Sequence, residues 1–246
     1  MGHLNARVVP VGSVSDSELR EMYTIFERYY DNTSFEAFAG DFRAKDEAIL
    51  LYHDGIVGFS TLKEVQVEVG GRVHVGMYSG DTVVDRAWWG TRVLGRVFLW
   101  HLVKRRVRHL FRPYWWILIS KGYKTYLLMA NNFPEHYPTV DGPPPGDRLA
   151  VRDAFAARLF GDHFDPARGL VVFDRSRGQL KQGIADVTPA LAAGNPRVAL
   201  FERLNPTWRE GSELVCLAAM PWLLPVHYVL KAWRRRHPRA ATPEPA

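Results

Sequence analysis

The sequence predicts a mixed α/β (α+β) fold in which a mostly antiparallel sheet is flanked by helices. The turn pairs Asp54-Gly55 and Gly70-Gly71 separate three strand-like segments, which is typical of an antiparallel meander. A helical pattern and then a continuous apolar run follow the meander, which indicates one parallel crossover. The chain has 246 residues, of which 47% are hydrophobic and 24% charged, so a folded protein with a sizeable core is expected.

The N-terminal segment predicts a strand followed by two helices. Several valines in residues 1–14 suit an edge strand. The sequence Ser15-Asp16-Ser17-Glu18 matches a capping box, in which the serine and the glutamate three residues later satisfy backbone N–H groups at a helix start. Apolar residues then keep helical spacing as far as Tyr30. A second, shorter helix is expected to carry Phe35, Phe38 and Phe42.

The meander comprises the strands Ala48–His53, Ile56–Leu62 and Val73–Val84. Strand side chains alternate between the two faces of a sheet, so one face of the third strand is expected to hold every second residue. These residues are Val73, Val75, Met77, Ser79, Asp81 and Val83.

The next segments predict the crossover and its surroundings. Thr91–Arg108 has helical periodicity, and the apolar run Trp115–Ile119 suits a strand buried on both faces. Helices are predicted at Lys124–Asn131 and Leu149–Phe160. Pro134–Gly146 contains five prolines and two glycines and therefore predicts a loop.

The remainder predicts strands at Leu170–Phe173, Arg197–Leu204 and Glu213–Ala218, the last two forming a final pair. We interpret residues 1–246 as a single domain with a proline-rich insert at about 134–182 and a basic C-terminal tail from about residue 231.

Charge and composition exclude several classes of protein. The single cysteine, Cys216, excludes an intramolecular disulfide and a cysteine-rich zinc site, and the scattered histidines predict no metal site. No signal peptide or long apolar span is evident, so a cytoplasmic protein, in peripheral contact with a membrane at most, is expected.

The net charge is +6, and residues 90–113 hold seven cations and no acid. These cations are Arg92, Arg96, Lys104, Arg105, Arg106, Arg108 and Arg112. Such a block attracts polyanions, although it also suits a solvated helix face.

The stretch from Ala48 to Asn131 resembles the GNAT-like acyltransferase superfamily, as a divergent member. The hairpin Asp54-Gly55-Ile56-Val57-Gly58-Phe59 is similar to two strands of that fold, and residues 84–94 are placed like its acyl-CoA loop. The start of a helix favours a pyrophosphate there, because its N–H groups are unpaired. Ala87 stands where the family commonly has Gln or Arg, and Arg92 stands where a small residue is usual.

The resemblance implies transfer of an acyl group from a thioester, acyl-CoA or an acyl carrier protein, to an amine, without a tightly bound cofactor. It also implies that two neighbouring strands part to expose backbone N–H groups. The implied donor-binding residues are Thr82, Val83, Val84, Trp89, Gly90, Thr91 and Arg92. The differences from the family pattern at Ala87 and Arg92 suit an acyl-phosphopantetheine donor on a carrier protein, because that donor has no adenosine diphosphate to be bound.

Two residues are candidates for proton transfer. Asp81 interrupts an apolar strand beside Gly80 and could act as a base, although a strand-end turn or a helix cap explains it equally. The resemblance implies that Tyr126 is the acid for the leaving thiolate, with Tyr123 and Tyr137 as competitors and a structural role as the alternative. Lys121 and Lys124 could hold a phosphate or a carboxylate, or could simply be solvated.

Two partners other than the amine are expected from the sequence, an acidic carrier protein and a membrane surface. An acidic acyl carrier protein could dock on the helix Arg92–Arg112. The apolar segment Leu217–Leu230, followed by basic residues, could contact anionic lipid. Nucleic acid is not expected because no motif for reading it is present. The alternative to an enzyme is a non-catalytic protein of the same fold whose basic helix binds an acidic partner, a lipid surface or nucleic acid.

Overall fold

A computed structural model describes residues 3–142, 146–173, 178–181, 183–184 and 186–222. The strands are β1 (Asn5–Pro10), β2 (Tyr30–Asp31), β3 (Glu47–Tyr52), β4 (Ile56–Val69), β5 (Arg72–Val84), β6 (Tyr114–Ser120), β7 (His136–Tyr137), β8 (Phe164–Asp165), β9 (Leu170–Val171), β10 (Gln179–Leu180) and β11 (Glu213–Ala219). The helices are α1 (Asp16–Phe26), α2 (Phe35–Arg43), α3 (Val93–Arg108), α4 (Tyr123–Asn132), α5 (Arg148–Phe160), α6 (Pro189–Gly194) and α7 (Pro196–Leu204).

The main sheet has the strand order β1-β3-β4-β5-β6-β11-β9-β8, with β7 also pairing with β11. Its pairings are antiparallel except that of β5 with β6, which is parallel and is connected through α3. A second, two-stranded sheet joins β10 to β2. The predicted fold class, a mostly antiparallel sheet flanked by helices with one crossover, is confirmed.

Helices cover both faces of the main sheet. On one face, Leu102 of α3, Met129 of α4 and Phe201 of α7 share a core with Met77 and Leu118 of the sheet. On the other face, α1 and α2 pack over one half of the sheet and α5 packs over the other half. The first half contains Phe59 and Val83, and the second contains Tyr78 and Ile117. Trp115–Ile119 is buried as predicted, apart from the partly exposed Ile119.

A β-bulge in β5 reverses the predicted facing of its last residues. Ser60 pairs with Thr82 and Leu62 pairs with Ser79, so three steps along β5 match two along β4. The extra residue shifts the alternation of side chains. Met77 therefore packs on the α3 face, whereas Val83 packs on the α1 face with Phe59. The prediction that one face runs unbroken from Val73 to Val83 is wrong for this reason.

The N-terminal elements agree with their sequence signals except at the end of α1. The Ser15–Glu18 capping box is present, and β1 pairs with β3 at the edge of the sheet. Helix α1 ends at Phe26, although apolar spacing continues to Tyr30. Tyr30 instead belongs to β2, where it pairs with Leu180 of β10.

The predicted strand Arg197–Leu204 is a helix, α7, so the predicted final strand pair is also wrong. Pro196 occupies the first turn of α7, and the Asn195 side chain accepts the Arg197 N–H at 3.1 Å. A proline at this position and an asparagine cap both favour a helix start. Strand β11 instead lies between β6 and β9.

Two further predictions concern domain organisation. Helix α5 and strand β9, both within the predicted insert, pack against the main sheet or belong to it. The basic tail from residue 231 lies outside the described residues, and the single-domain interpretation stays a prediction. Among the helices within the described ranges, none combines the length and apolar character that crossing a bilayer requires.

A buried charge cluster fixes α3 to the sheet. Glu47 of β3 lies 2.9 Å from His101 Nε2 and accepts a hydrogen bond from Arg105 at 2.6 Å. The contact with His101, and then that with Arg105, lowers the pKa of Glu47 to about 2. Because the folded protein binds this proton less tightly than the unfolded chain does, Glu47 stabilises the fold above its ordinary pKa.

We predict that Glu47→Gln lowers the melting temperature at neutral pH. The difference from the unaltered protein should persist down to about pH 4.5 and shrink as the pH falls from there towards 2, because protonation of Glu47 removes the same interaction. Thermal unfolding followed by circular dichroism at several pH values measures this. The matched control is Glu68→Gln, at an exposed position of β4, and its melting temperature should differ little from that of the unaltered protein. Equal losses in both variants would contradict the prediction.

Candidate active site

Strands β5 and β6 pair for only part of their length. The parallel register runs from Val75 opposite Tyr114 to Ser79 opposite Leu118. Beyond it, β5 continues to Val84 and β6 to Ser120, but the described pairings between them stop. A cleft of about 720 Å³ opens where they part.

The end of β5 forms one wall of the cleft, from Gly80 to Val84. The opposite wall includes Ile119 and Lys121, which lie at the end of β6, and Lys124 of α4. Glu213, the first residue of β11, also reaches the cleft. Gly80 has no room for a side chain, because a Cβ there would lie 2.5 Å from Thr61 Oγ1.

Two backbone N–H groups of β5 face the cleft, where the described strands offer them no partner. The Asp85 N–H donates to Val57 O of the β4 side at 2.8 Å. Because successive N–H groups of a strand point to opposite sides, those of Thr82 and Val84 point away from β4, towards the space that β6 has left. The Val84 carbonyl agrees with this direction, since it accepts the Trp89 indole N–H at 2.8 Å.

The inner part of the cleft contains a buried carboxylate and lysine. Glu213 is 7% exposed, and its Oε1 lies 3.5 Å from Lys121 Nζ. Lys121 also donates to the Gly178 carbonyl at 2.8 Å. Burial raises the pKa of Glu213 to about 7, with a smaller contribution from the charge of Asp81, while Lys121 opposes the shift. Glu213 can therefore exchange a proton near neutral pH.

A second charged pair lies at the other side of the cleft. Lys45 is 8% exposed, and it donates to both the backbone carbonyl and the carboxylate of Asp41. Its ammonium lies 5.8 Å from the centre of the Tyr78 ring. Charges of both signs in a partly buried cleft suit a polar or charged ligand.

Five of the predicted site residues meet in the cleft: Asp81, Thr82, Val83, Val84 and Trp89. Asp81 is half-buried, and its charge contributes to the raised pKa values of both Glu213 and Tyr30. Trp89 is held by its bond to Val84 and lies 5.2 Å from Lys124 Nζ. Their catalytic and donor-binding roles stay predictions.

Gly90, Thr91 and Arg92 lie beyond Trp89 and do not line the cleft. They lead into α3, whose first residue is Val93. No side chain caps α3 from the Arg92 position, although Thr91 Oγ1 accepts the Val93 N–H at 3.4 Å. The Thr91 N–H donates a hydrogen bond to the Trp88 carbonyl in a turn.

Tyr126 does not meet the other predicted residues. It is fully buried in the α3-side core, and its hydroxyl donates to Pro138 O at 3.1 Å. Neither Tyr123 nor Tyr137 lines the cleft. The assignment of Tyr126 as the acid stays a prediction, and the geometry gives its hydroxyl no direct access to the cleft.

Sequence reasoning missed Glu213 and Tyr30. A signal for Glu213 existed, because a lone carboxylate opens the otherwise apolar strand Glu213–Ala219. Tyr30 continues the helical spacing of α1 in the sequence, which gives no sign that it lines a cleft. Its ring stacks on Phe26 at 4.3 Å, and it lies 5.3 Å from Lys121 Nζ. Among the described residues, no group of three or more His, Cys, Asp or Glu side chains could hold a metal ion.

Several solved structures are similar to this chain at low identity. An aminoglycoside acetyltransferase from an uncultured soil metagenomic sample is 13% identical, with a TM-score of 0.40 over 59% of this chain and 100% of that one. An acetyltransferase of Trypanosoma brucei is 21% identical, with a TM-score of 0.37 over 56% and 97% of the two chains. A conserved Enterococcus faecalis protein, described as a probable N-acyltransferase, is 14% identical, with a TM-score of 0.39.

The similarity to the Enterococcus protein covers 51% of this chain and only 32% of that one. No protein-family model matches the chain. No curated protein matches it either. At these identities and TM-scores the comparisons transfer no activity and no residue role, so the roles considered below rest on the geometry of this chain.

We predict that Glu213→Gln stabilises the protein at alkaline pH. The raised pKa of Glu213 means that the folded state holds its proton more tightly than the unfolded chain does. Its contribution to stability is therefore present below about pH 4.5 and is lost as the pH rises through about 7.

Melting temperatures at pH 5 and pH 8 test this. The unaltered protein should lose more stability between these values than Glu213→Gln does, whereas the exposed control Glu210→Gln should follow the unaltered protein. Parallel curves for all three proteins would show that Glu213 is not a buried titrating group.

Proposed function

We propose that this chain is an acyltransferase that moves an acyl group from a thioester to an amine. The observation that carries the proposal is the parting of β5 and β6, which leaves the N–H groups of Thr82 and Val84 facing a cleft that the buried Glu213 also lines. The sequence resemblance described above implies the same chemistry. An acceptor amine would enter the cleft from the side that Lys45 and Asp41 line.

The backbone of β5 supplies the stabilisation that the reaction needs. When an amine adds to a thioester, negative charge develops on the carbonyl oxygen. The N–H groups of Thr82 and Val84 point into the cleft and are fixed by the pairing of β5 with β4. Donors that are already aimed at the oxygen cost no reorganisation during the reaction.

Glu213 is the base that best fits this arrangement. An amine must be neutral to attack, and it is mostly protonated at neutral pH, so a nearby group has to accept a proton. Glu213 lines the cleft, is shielded from solvent and has a pKa of about 7. Asp81 contributes as a neighbouring charge that keeps this pKa high.

The step balances without a further reactant. The amine nitrogen forms a bond to the carbonyl carbon, and the carbon–sulfur bond breaks with its electron pair going to sulfur. Glu213 takes one proton from the ammonium before the attack, and the nitrogen loses a second proton to solvent after the bond to carbon has formed. The thiolate takes up one proton from solvent, and Glu213 returns its proton to solvent. The products are an amide and a free thiol.

The direct test is release of free thiol from a series of acyl-CoAs and acyl carrier proteins in the presence of a mixed amine pool. Products are identified by mass spectrometry. The proposal expects an amide and a thiol in equal amounts from at least one donor. Tight binding of both donor types without amide formation would support a non-catalytic protein instead.

We predict that kcat/KM rises with pH up to about 7 and then levels off, because Glu213 must be ionised to accept a proton. Glu213→Gln should lower kcat/KM by roughly a hundredfold or more and remove this rise. Asp81→Asn should retain activity and shift the rise to lower pH, because it removes a charge that raises the pKa of Glu213.

Steady-state kinetics from pH 5.5 to 9 separate the two carboxylates. If Asp81 is the base, as the sequence alone suggested, Asp81→Asn abolishes turnover and Glu213→Gln keeps the pH profile. That result would overturn the assignment of Glu213 while leaving the acyl-transfer proposal intact.

A further inference from the structure

The outer face of α3 carries large apolar side chains in water. We define this face as Arg92, Arg96, Trp100, Lys104, Val107 and Arg108 of α3, together with the exposed Leu110 and Phe111 in the turn that follows. Phe111 is 93% exposed and Trp100 is 73% exposed, the highest values for large hydrophobic residues among those described. Val107 and Leu110 are about half exposed.

These side chains are not needed for the core of the protein. The opposite side of α3 already packs on the sheet through Leu102, Phe98 and Leu94. Residues four apart lie on the same side of a helix, so Trp100, Lys104 and Arg108 project together. A helix that is apolar on its inner side and carries aromatic residues on its outer side has a second surface to cover.

The outer face is also strongly basic. Residues 90–113 contain no acid, and Arg92, Arg96, Lys104 and Arg108 are exposed. Arg105 and Arg106 do not belong to this face, since Arg105 pairs with Glu47 at 2.6 Å and Arg106 donates to Met220 O at 3.1 Å.

The chain beyond the described residues adds charge of the same sign. Trp222, the last described residue, lies against Arg106, with its ring 4.0 Å from the guanidinium carbon. The sequence of residues 223–246 is apolar as far as Leu230 and then contains Lys231, Arg234, Arg235, Arg236 and Arg239. The cations of this sequence cannot neutralise a basic helix, so charge complementarity favours an acidic partner from outside the chain.

We propose that the outer face of α3 docks on the surface of an anionic phospholipid bilayer. Tryptophan and phenylalanine side chains gain free energy at the boundary between headgroups and acyl chains. Lysine and arginine extend their charged ends to the headgroups while their stems remain in the apolar layer. The mixture of exposed aromatic and basic side chains along one helix face matches such a surface and is independent of the acyl-transfer proposal.

The test is co-sedimentation of the full chain with vesicles, without substrates. One set of vesicles is phosphatidylcholine alone, and the other is equal parts phosphatidylcholine and phosphatidylglycerol. The unaltered protein should pellet with the anionic vesicles only, and added salt should weaken the binding. Both Trp100→Ser/Phe111→Ser and Lys104→Glu/Arg108→Glu should lower the partition coefficient by about tenfold or more.

Matched controls use exposed residues away from α3. Leu128→Ser/Val140→Ser changes two apolar side chains of about half exposure, and Arg72→Glu/Arg158→Glu reverses two exposed cations. Both controls should pellet as the unaltered protein does, and circular dichroism should show all variants folded.

Two results would overturn the proposal. One is that the unaltered protein does not pellet with anionic vesicles, whether or not it binds an acidic carrier protein. The other is binding that survives both α3 double substitutions, which would place the lipid contact elsewhere, such as in residues 223–246.

Discussion

The structure depends on an interruption in hydrogen bonding between β5 and β6. Parallel pairing with β6 holds as far as Ser79, whereas β5 is paired with β4 again from Thr82 to Val84, after the bulge at Gly80-Asp81. Backbone groups that would ordinarily be satisfied by a neighbouring strand are thereby left facing a cleft, which costs free energy unless a ligand or water meets them.

The position of β11 in the sheet places a carboxylate in the cleft. Because β11 pairs with β6, its first residue, Glu213, is carried to the end of the gap, next to Lys121. Burial disfavours the ionised form of a carboxylate in this position, and this raises the pKa of Glu213 to about 7. The same buried location that destabilises the charged form makes Glu213 a usable base. Helix α3 closes the opposite face of the sheet and is held there through Glu47.

The sequence could predict the elements whose signals are local. The capping box at Ser15, the Asp54-Gly55 turn and the buried run Trp115–Ile119 all lie in the structure as expected. The sequence prediction makes Arg197–Leu204 a strand, although Pro196 and the Asn195 cap favour the start of a helix there. The bulge in β5 has one local signal, the isolated Gly80, but the reversed facing of the later residues follows only from the pairing with β4. For the site, Asp81 and the end of β5 were found, whereas Glu213 depends on a contact between distant parts of the chain.

The central claim is that Thr82 and Val84 have no strand partner on the β6 side, and amide hydrogen exchange measured by nuclear magnetic resonance tests it most directly. Met77 lies on the paired part of β5 and serves as the internal reference. The account predicts that Thr82 and Val84 exchange much faster than Met77 in the free protein and slow down when a non-reactive acyl thioether analogue of the donor is bound. Equal protection of all three amides in the free protein would mean that the strands are closed, and the proposed active site would not exist.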